Sequence, residues 1–291
     1  MSDYVEPAEN LSEAWLRTLE LVHARGGRRV NVLTTITDPL APEDLAVRAA
    51  IDAVLVPGSH KSGTLHSVQT VASTIFPQDL YQDPHVAWAP ALPDEQKKRL
   101  DEAADDLYAA YGDMLSLLCT ANGNKLGTYF GRMVSWPGKE AGGYNQLADR
   151  VHYLRSAHAA GRRTHNLSDI AVGGEADPAD EPLSALQDAG VQVYAPTDRR
   201  QRGFPCLVHI DLTLLDGRLS MLAVYRHQYL VTKAYGNLVG LARLLAFLAQ
   251  QTGFDVGELA VQATMADTQQ SDFRGRKGIE ALLDSARSQG G

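Results

Sequence analysis

Residues 204–259 read FPCLVHIDLTLLDGRLSMLAVYRHQYLVTKAYGNLVGLARLLAFLAQQTGFDVGEL and hold the clearest secondary-structure pattern in the chain. Apolar and polar positions alternate over 207–214, which is the period of a half-buried strand. Asp216-Gly217 then predicts a hairpin, because both central residues of a type I′ turn need positive φ, and 219–225 forms the return strand. An apolar helix follows over 237–250 and ends at Gly253. The stretch therefore predicts a strand hairpin followed by a long buried helix.

The rest of the chain mixes helices with one further strand. Apolar residues recur at helical spacing over 11–22, 45–54, 94–118 and 145–160. The pattern of 67–76 fits either a helix or a strand, and we favour a helix. The β-branched run at 30–36 predicts a strand, whereas 57–63 and 171–182 are rich in turn residues and predict surface loops. Helices combined with an antiparallel hairpin indicate an α+β protein, not a regular βαβ array.

Composition narrows the class of protein. The 291 residues carry a formal charge of −8 and are 44% hydrophobic. An acidic chain argues against nucleic-acid binding through a basic face, although a few arginines can still hold a small phosphate ligand. The nine histidines and two cysteines show no metal-ligand spacing, so we predict no metal site.

The sequence also predicts a cytoplasmic location. The two cysteines, Cys119 and Cys206, are fewer than a disulfide-stabilised secreted protein of this size would carry. The first ten residues are acidic and lack an apolar core, so we expect no signal peptide. No segment reaches the roughly 18 apolar residues of a membrane span.

The 204–259 segment resembles the central segment of thymidylate synthases. In that family a Pro-Cys pair opens a strand, an Asp-Gly hairpin follows, an arginine ends the return strand and an asparagine opens a long helix. Pro205-Cys206, Asp216-Gly217, Arg226 and Asn237 match these features at the family's spacing without a gap. A Thr-Gly-x-x-x-Gly-Glu run after the helix also matches, at 252–258.

A second match covers 127–163. GTYFGRM is similar to the family's Gly-x-x-Tyr-Gly pattern, and Arg162-Arg163 falls on its paired arginines. The resemblance implies a single α+β domain over 1–291, with a mixed sheet, flanking helices and sheet-to-sheet packing in a homodimer. The paired arginines would then reach the nucleotide phosphate of the partner subunit.

The resemblance also implies a chemistry. Cys206 would attack C6 of a pyrimidine nucleoside monophosphate, so that C5 becomes nucleophilic and accepts a methyl or hydroxymethyl group. Arg226 would lower the pKa of the thiol, which is ordinarily about 8.5. Asn237 would hydrogen-bond the base edge, and Arg226 and His227 would hold the 5′-phosphate. The one-carbon donor of the family is 5,10-methylenetetrahydrofolate.

Five positions depart from the family pattern. Val71 stands at the catalytic glutamate, Tyr229 at a folate-contacting aspartate and Phe130 at a tyrosine, while Gln269 and Ser271 replace the His and Tyr that bind the 3′-hydroxyl. These departures support an alternative, in which a non-catalytic nucleotide-binding or scaffolding protein has kept the fold.

Structural interpretations stand beside the functional ones. A lone cysteine is most often an inert apolar residue, which is our prediction for Cys119 at an apolar helix end. Asn237 would suit a helix N-cap, and His227 could simply end a strand. Arg162-Arg163 could be a solvated helix end, and 61–64 (KSGT) is a turn more readily than a phosphate loop.

Overall fold

The computed structural model describes residues 3–55, 65–121, 124–136, 138–166, 191–192 and 205–288. The chain forms two compact units. The first comprises Met1–Phe76, Ala223–Leu244 and Glu258–Gly291, and the second comprises Pro77–Leu222 and Leu245–Gly257. The single domain over 1–291 stays a prediction.

Three long elements contribute residues to both units. These are strand β6 (Arg218–Tyr225), helix α7 (Tyr235–Thr252) and strand β8 (Asp255–Asp267). In β6, buried and half-buried residues alternate along the strand, so one face of the strand is covered.

The first unit combines a mixed sheet with helices. Its other elements are β1 (Asp3–Tyr4), α1 (Leu11–Ala24), β2 (Arg28–Ile36), α2 (Leu45–Leu55), α3 (Val68–Ser73), β7 (Gln228–Tyr229), a π-helical turn (Leu230–Ala234) and α8 (Arg276–Ser288). Strand β2 pairs parallel with β1 and antiparallel with β8, and the second register places Arg28 opposite Asp267. Trp15 of α1 is fully buried and donates its indole hydrogen to the Leu230 carbonyl at 2.8 Å.

The second unit packs helices with a hairpin-based sheet. It contains a 3₁₀ turn (Gln78–Leu80), α4 (Asp94–Leu118), α5 (Tyr129–Val134), α6 (Gln146–Ala159), β3 (His165–Asn166), β4 (Val191–Gln192) and β5 (Leu207–Leu215). Strands β3 and β4 each pair antiparallel with β5. The buried residues of β5 are Leu207, Ile210, Leu212 and Leu214. Together the two units confirm an α+β protein with a mixed sheet and flanking helices.

Local chemistry explains two predicted boundaries. At the β5–β6 turn, Asp216 and Gly217 have φ of 52° and 84°, so the positive-φ hairpin is confirmed. At the end of α7, Gly253 has φ of 75°, and a Cβ there would lie 2.0 Å from the Trp88 carbonyl oxygen. A glycine is therefore required where this helix stops.

Some predictions need correction and some lie outside the described residues. The predicted helices and strands are present, but α7 begins at Tyr235, two residues before the predicted start. Cys119 is half-buried at the end of α4, so its assignment to the core is wrong. The turns at 57–63 and 61–64 and most of the loop at 171–182 lie outside the described residues.

Candidate functional site

The predicted site residues fall in both units. The second unit contains Cys206, Arg162 and Arg163, and the first contains Arg226, His227 and Asn237. Each group has surroundings of its own.

Cys206 lies directly before β5 and is half-buried. Its backbone amide donates a hydrogen bond to the hydroxyl oxygen of Tyr129 at 3.2 Å, and the amide of Leu207 donates to the same oxygen at 3.4 Å. The partial exposure of Cys206 differs from the full burial typical of an inert core cysteine. The residue thus sits at a strand entrance that one tyrosine hydroxyl holds in place.

The helix that carries Tyr129 is fixed at its start. Thr128 caps α5 by accepting a hydrogen bond from the Gly131 amide at 3.0 Å, and its hydroxyl lies 2.6 Å from that of Tyr111. Burial raises the pKa of Tyr111 to about 12. Phe130 is fully buried with its ring edge-on to Tyr111, so it belongs to the core while Tyr129 reaches Cys206.

Arg162 and Arg163 follow α6 and are exposed. Arg163 donates to the Asp216 carbonyl at 3.1 Å and accepts from the Gly217 amide at 2.8 Å, so it is attached to the hairpin turn. Both arginines line a cleft of about 370 Å³, together with Pro90, His158, Gly161, Gly217, Gly253, Phe254 and Asp255. Two guanidinium groups on one cleft can bind an anion. Cys206 is not among the lining residues.

Arg226 and His227 follow the end of β6. The His227 ring lies 4.3 Å from the ring of Tyr229, and its Nε2 is 3.9 Å from Oδ2 of Asp267. Asp267 is buried and accepts a hydrogen bond from Arg28 Nε at 2.8 Å. Burial lowers the pKa of His227. The positive charges of Arg28 and Arg226 lower this pKa further, whereas the Asp267 carboxylate raises it. The net result favours a neutral imidazole.

Asn237 is the third residue of α7 and is only 5% exposed. The N-cap interpretation is wrong, because the π-helical turn Leu230–Ala234 leads directly into the helix. Within the described ranges, the Asn237 side chain forms no hydrogen bond. A polar side chain in the first turn of α7 that does not bond to the described residues suits a group that meets a ligand.

Val71 occupies a packed position. It is 3% exposed on α3, and a Cβ on Gly236 would lie 2.6 Å from the Val71 Cβ. Where the resemblance places a glutamate, the structure therefore has a tight helix–helix contact between α3 and α7.

Gln269 and Ser271, which also differ from the thymidylate synthase pattern, have polar contacts of their own. The Gln269 side-chain oxygen accepts hydrogen bonds from the amide and hydroxyl of Thr232, at 3.1 and 2.9 Å. Gln269 thus stabilises the π-helical turn. Ser271 is exposed, and its hydroxyl lies 3.4 Å from Asp272 Oδ1.

Three residues with a place beside the predicted site were missed from the sequence: Tyr129, Arg28 and Asp267. Tyr129 adjoins Phe130 in GTYFGRM, and Asp267 lies two residues before Gln269, where the sequence departs from the family pattern. The residues around Arg28 in the sequence do not indicate its role, because only the pairing of β2 with β8 brings it next to Asp267.

Within the described ranges, no three His, Cys, Asp or Glu side chains lie close enough together to hold a metal ion. None of the helices in those ranges combines the length and hydrophobicity needed for a transmembrane segment.

Comparison with known proteins gives a partial match. No family model matches this chain. Over 79 residues it is 29% identical to a protein of Methanothermobacter thermautotrophicus named "Putative thymidylate synthase". The matched residues make up 27% of this chain and 36% of that protein. A protein of the same name from Methanothermobacter marburgensis is 28% identical over 75 residues, or 26% of this chain and 34% of that protein. The match spans about a third of the length of these relatives. Part of the chain is therefore distantly similar to proteins named as thymidylate synthases.

Proposed function

We propose that this chain transfers a one-carbon unit, methyl or hydroxymethyl, to C5 of a pyrimidine nucleoside monophosphate. The observation that carries the proposal is the placement of three residues. Cys206 directly precedes β5, Arg226 directly follows β6 and Asn237 lies in the first turn of α7. These are the positions that the resemblance to thymidylate synthases implies.

In the proposed reaction, the Cys206 thiolate adds to C6 of the pyrimidine ring. The C5–C6 double bond opens, and its electron pair passes to C5 and the C4 carbonyl as an enolate. Asn237 supports this step because its buried amide is available to hydrogen-bond the base edge where charge develops. C5 of the enolate uses this electron pair to bond the electrophilic one-carbon unit. The original C5 proton then passes to a base, and the electrons of the C5–H bond reform the C5–C6 double bond as the Cys206 thiolate leaves.

Phosphate recognition is assigned to two groups of residues. Arg226 and His227 would hold the 5′-phosphate in one subunit. Arg162 and Arg163 would reach it from the partner subunit, which makes the active protein a homodimer. The alternating burial of β6 supports sheet-to-sheet packing, because Ser220, Leu222 and Val224 remain half-buried on one face of the strand.

The carbon donor that the resemblance implies is 5,10-methylenetetrahydrofolate. The described residues differ from those with which thymidylate synthases bind this folate. Tyr229 replaces the folate-contacting carboxylate and packs on the His227 ring, and Val71 is enclosed beside Gly236. The reaction assigned to this chain's own residues is therefore addition at C6 and activation of C5.

A second function is a non-catalytic nucleotide-binding protein with the same fold. The specific observation in its favour is Val71, because a buried valine cannot transfer protons where the family uses a glutamate. Under this alternative, Asn237 and the arginines would bind the nucleotide without chemistry.

A panel of C5-tritiated dUMP, UMP, dCMP and CMP separates the two functions. Each nucleotide is incubated with the protein, with and without methylenetetrahydrofolate, while tritium release and dihydrofolate absorbance are followed. Tritium release with dihydrofolate indicates reductive methylation, and donor-dependent release without dihydrofolate indicates hydroxymethylation. A raised melting temperature without any release would reject the enzyme and support the binding protein.

A further inference from the structure

Arg28 and His227 meet at the buried carboxylate of Asp267, in the first unit. Oδ2 of Asp267 accepts a hydrogen bond from Arg28 Nε at 2.8 Å, and Oδ1 accepts one from the Gln269 amide at 2.7 Å. His227 Nε2 lies 3.9 Å from the same Oδ2, which is too far for a hydrogen bond. A guanidinium and an imidazole therefore share one carboxylate, whose two oxygens are already bonded to other donors.

Arg28 is held by this carboxylate and yet is open to solvent. Its side chain is 70% exposed, whereas that of Asp267 is 6% exposed. The pairing of β2 with β8 places the two residues opposite each other, so the backbone fixes where the guanidinium lies. Among the residues that the structure describes, only its Nε is bonded, which leaves both Nη groups for another partner. Such groups bind phosphate or carboxylate oxygens.

Positive charge is in excess around His227. The charged and titratable groups beside its ring are Arg28 from β2, Asp267 from β8, Arg226 next to it in the chain, and Tyr229 from β7, whose ring is 4.3 Å away. Burial lowers the pKa of His227, the two arginines lower it further, and one carboxylate opposes them. A bound anion would cancel the repulsion from the arginines, so it would favour the protonated ring.

We propose that Arg28 joins His227 in binding the phosphate dianion of the ligand, and that the anion binds together with a proton on the His227 imidazole. The inference rests on the proposed function, in which His227 holds the 5′-phosphate. It deepens that function by adding Arg28 and by naming the proton that a neutral imidazole needs for this role. The proton comes from solvent and forms one N–H bond on the ring. A protonated imidazole has two N–H donors, so one can face Asp267 while the other meets the anion.

The test uses sulfate, a tetrahedral dianion that does not titrate near neutral pH, and needs no nucleotide. The pKa of His227 is measured by nuclear magnetic resonance with and without saturating sulfate. We expect sulfate to raise this pKa by about one pH unit, which corresponds to about tenfold tighter binding of sulfate to the protonated ring. Sulfate affinity should therefore rise as the pH falls through the pKa of the sulfate-bound protein. An unchanged pKa, or the absence of saturable sulfate binding, would overturn the inference.

Two substitutions separate the proton from the guanidinium. His227→Gln should make sulfate affinity nearly equal at pH 7.5 and 5.5, because the ring that gains the proton is absent. Arg28→Gln should weaken sulfate binding about tenfold, since charge-assisted hydrogen bonds to the anion are lost. Arg25→Gln is the matched control: Arg25 is exposed at the end of α1, and its loss removes the same net charge. Equal weakening by Arg25→Gln and Arg28→Gln would also overturn the inference.

The sulfate titration and the tritium assay distinguish this inference from the proposed reaction. A pKa of His227 that rises in sulfate, in a protein that releases no tritium from any nucleotide, would uphold the anion site and reject the reaction. Tritium release by a protein in which sulfate leaves this pKa unchanged would reject the proton-linked site and uphold the reaction.

Discussion

The side chain of Val71 lies against Gly236 so closely that a Cβ on the glycine would be 2.6 Å from the valine Cβ. The same added atom would lie 2.9 Å from the Val68 carbonyl oxygen, so backbone as well as side chain limits the space. This contact brings α3 against the first turn of α7, one residue before Asn237. The position that resembles a catalytic glutamate therefore serves helix packing.

Gly236→Ala is expected to destabilise the protein by about 1–3 kcal/mol, because an extra methyl group overpacks a filled contact. Gly112→Ala is the matched control: it lies inside α4, and its Cβ would meet only the Ala141 Cβ, at 3.7 Å. There the helix propensity of alanine should raise stability by up to about 1 kcal/mol. Urea unfolding measures both, and equal effects of the two substitutions would contradict the proposed packing.

Asn237→Leu is expected to leave the free energy of unfolding about unchanged, because the substitution removes no hydrogen bond among the described residues and places an apolar group of similar size at a position that is 5% exposed. The same substitution should abolish the rise in melting temperature that nucleotides cause. Gln146→Leu is the control, since Gln146 is equally buried and donates to the Arg132 carbonyl at 2.9 Å. It should cost about 1–3 kcal/mol. A comparable loss in Asn237→Leu would show that Asn237 is structural.

Protonation of His227 should make the free energy of unfolding depend on pH. Burial and two arginines lower its pKa in the folded protein below the ordinary value of about 6.5. The unfolded chain then binds the proton at a higher pH than the folded chain does, so stability is lost as the pH falls from about 6.5 through the folded pKa. His227→Gln should reduce this loss when unfolding is compared at pH 7.5 and 5.5.

Nuclear magnetic resonance titration of the His227 ring gives a direct check. The pKa of His227 should lie below that of histidine in an unfolded peptide. Asp267→Asn should lower this pKa further, because the substitution removes the carboxylate that raises it and leaves the positive charge of Arg28 without its partner. A pKa at or above the peptide value would contradict the environment described for His227.

Arg162→Gln is expected to weaken binding of a pyrimidine nucleoside monophosphate about tenfold or more, since a charged hydrogen bond to phosphate is lost. Arg99→Gln, on the exposed surface of α4, removes the same net charge and should have no effect. Isothermal titration calorimetry measures both affinities. Equal weakening by the two substitutions would mean that net charge, and not the cleft, governs binding.

Mixing two inactive variants tests the shared site of the proposed dimer. Cys206→Ala supplies intact arginines, and the Arg162→Gln/Arg163→Gln variant supplies an intact thiol. If the arginines act across the interface, subunit exchange should restore about a quarter of the activity per site, as random pairing predicts. No recovery in a mixture that has exchanged subunits would place the arginines and the thiol of each site on one chain.

Much of the fold could be predicted because local patterns decide it. The alternation at 207–214, the Asp216-Gly217 turn and the helical spacing at 94–118 each specify an element without help from distant residues. Helix α8 could also have been found, since Ile279, Leu282, Leu283 and Ala286 recur at helical spacing and are buried.

Other features depend on contacts that local patterns do not encode. Strand β8 begins with polar and small residues and gains its place from pairing with β2. The start of α7 was misplaced because LVTKA, at 230–234, forms a π-helical turn that its composition does not suggest. The site residue Tyr129 is 77 positions from Cys206, so only the folded second unit brings its hydroxyl to the strand entrance.

The central claim is that Cys206 attacks a pyrimidine, and tritium release from the C5-labelled nucleotide that the wild-type protein processes tests it most directly. Cys206→Ala is expected to abolish release while nucleotide binding is largely kept, and Cys119→Ala should release tritium at the wild-type rate. Undiminished release by Cys206→Ala would contradict the mechanism.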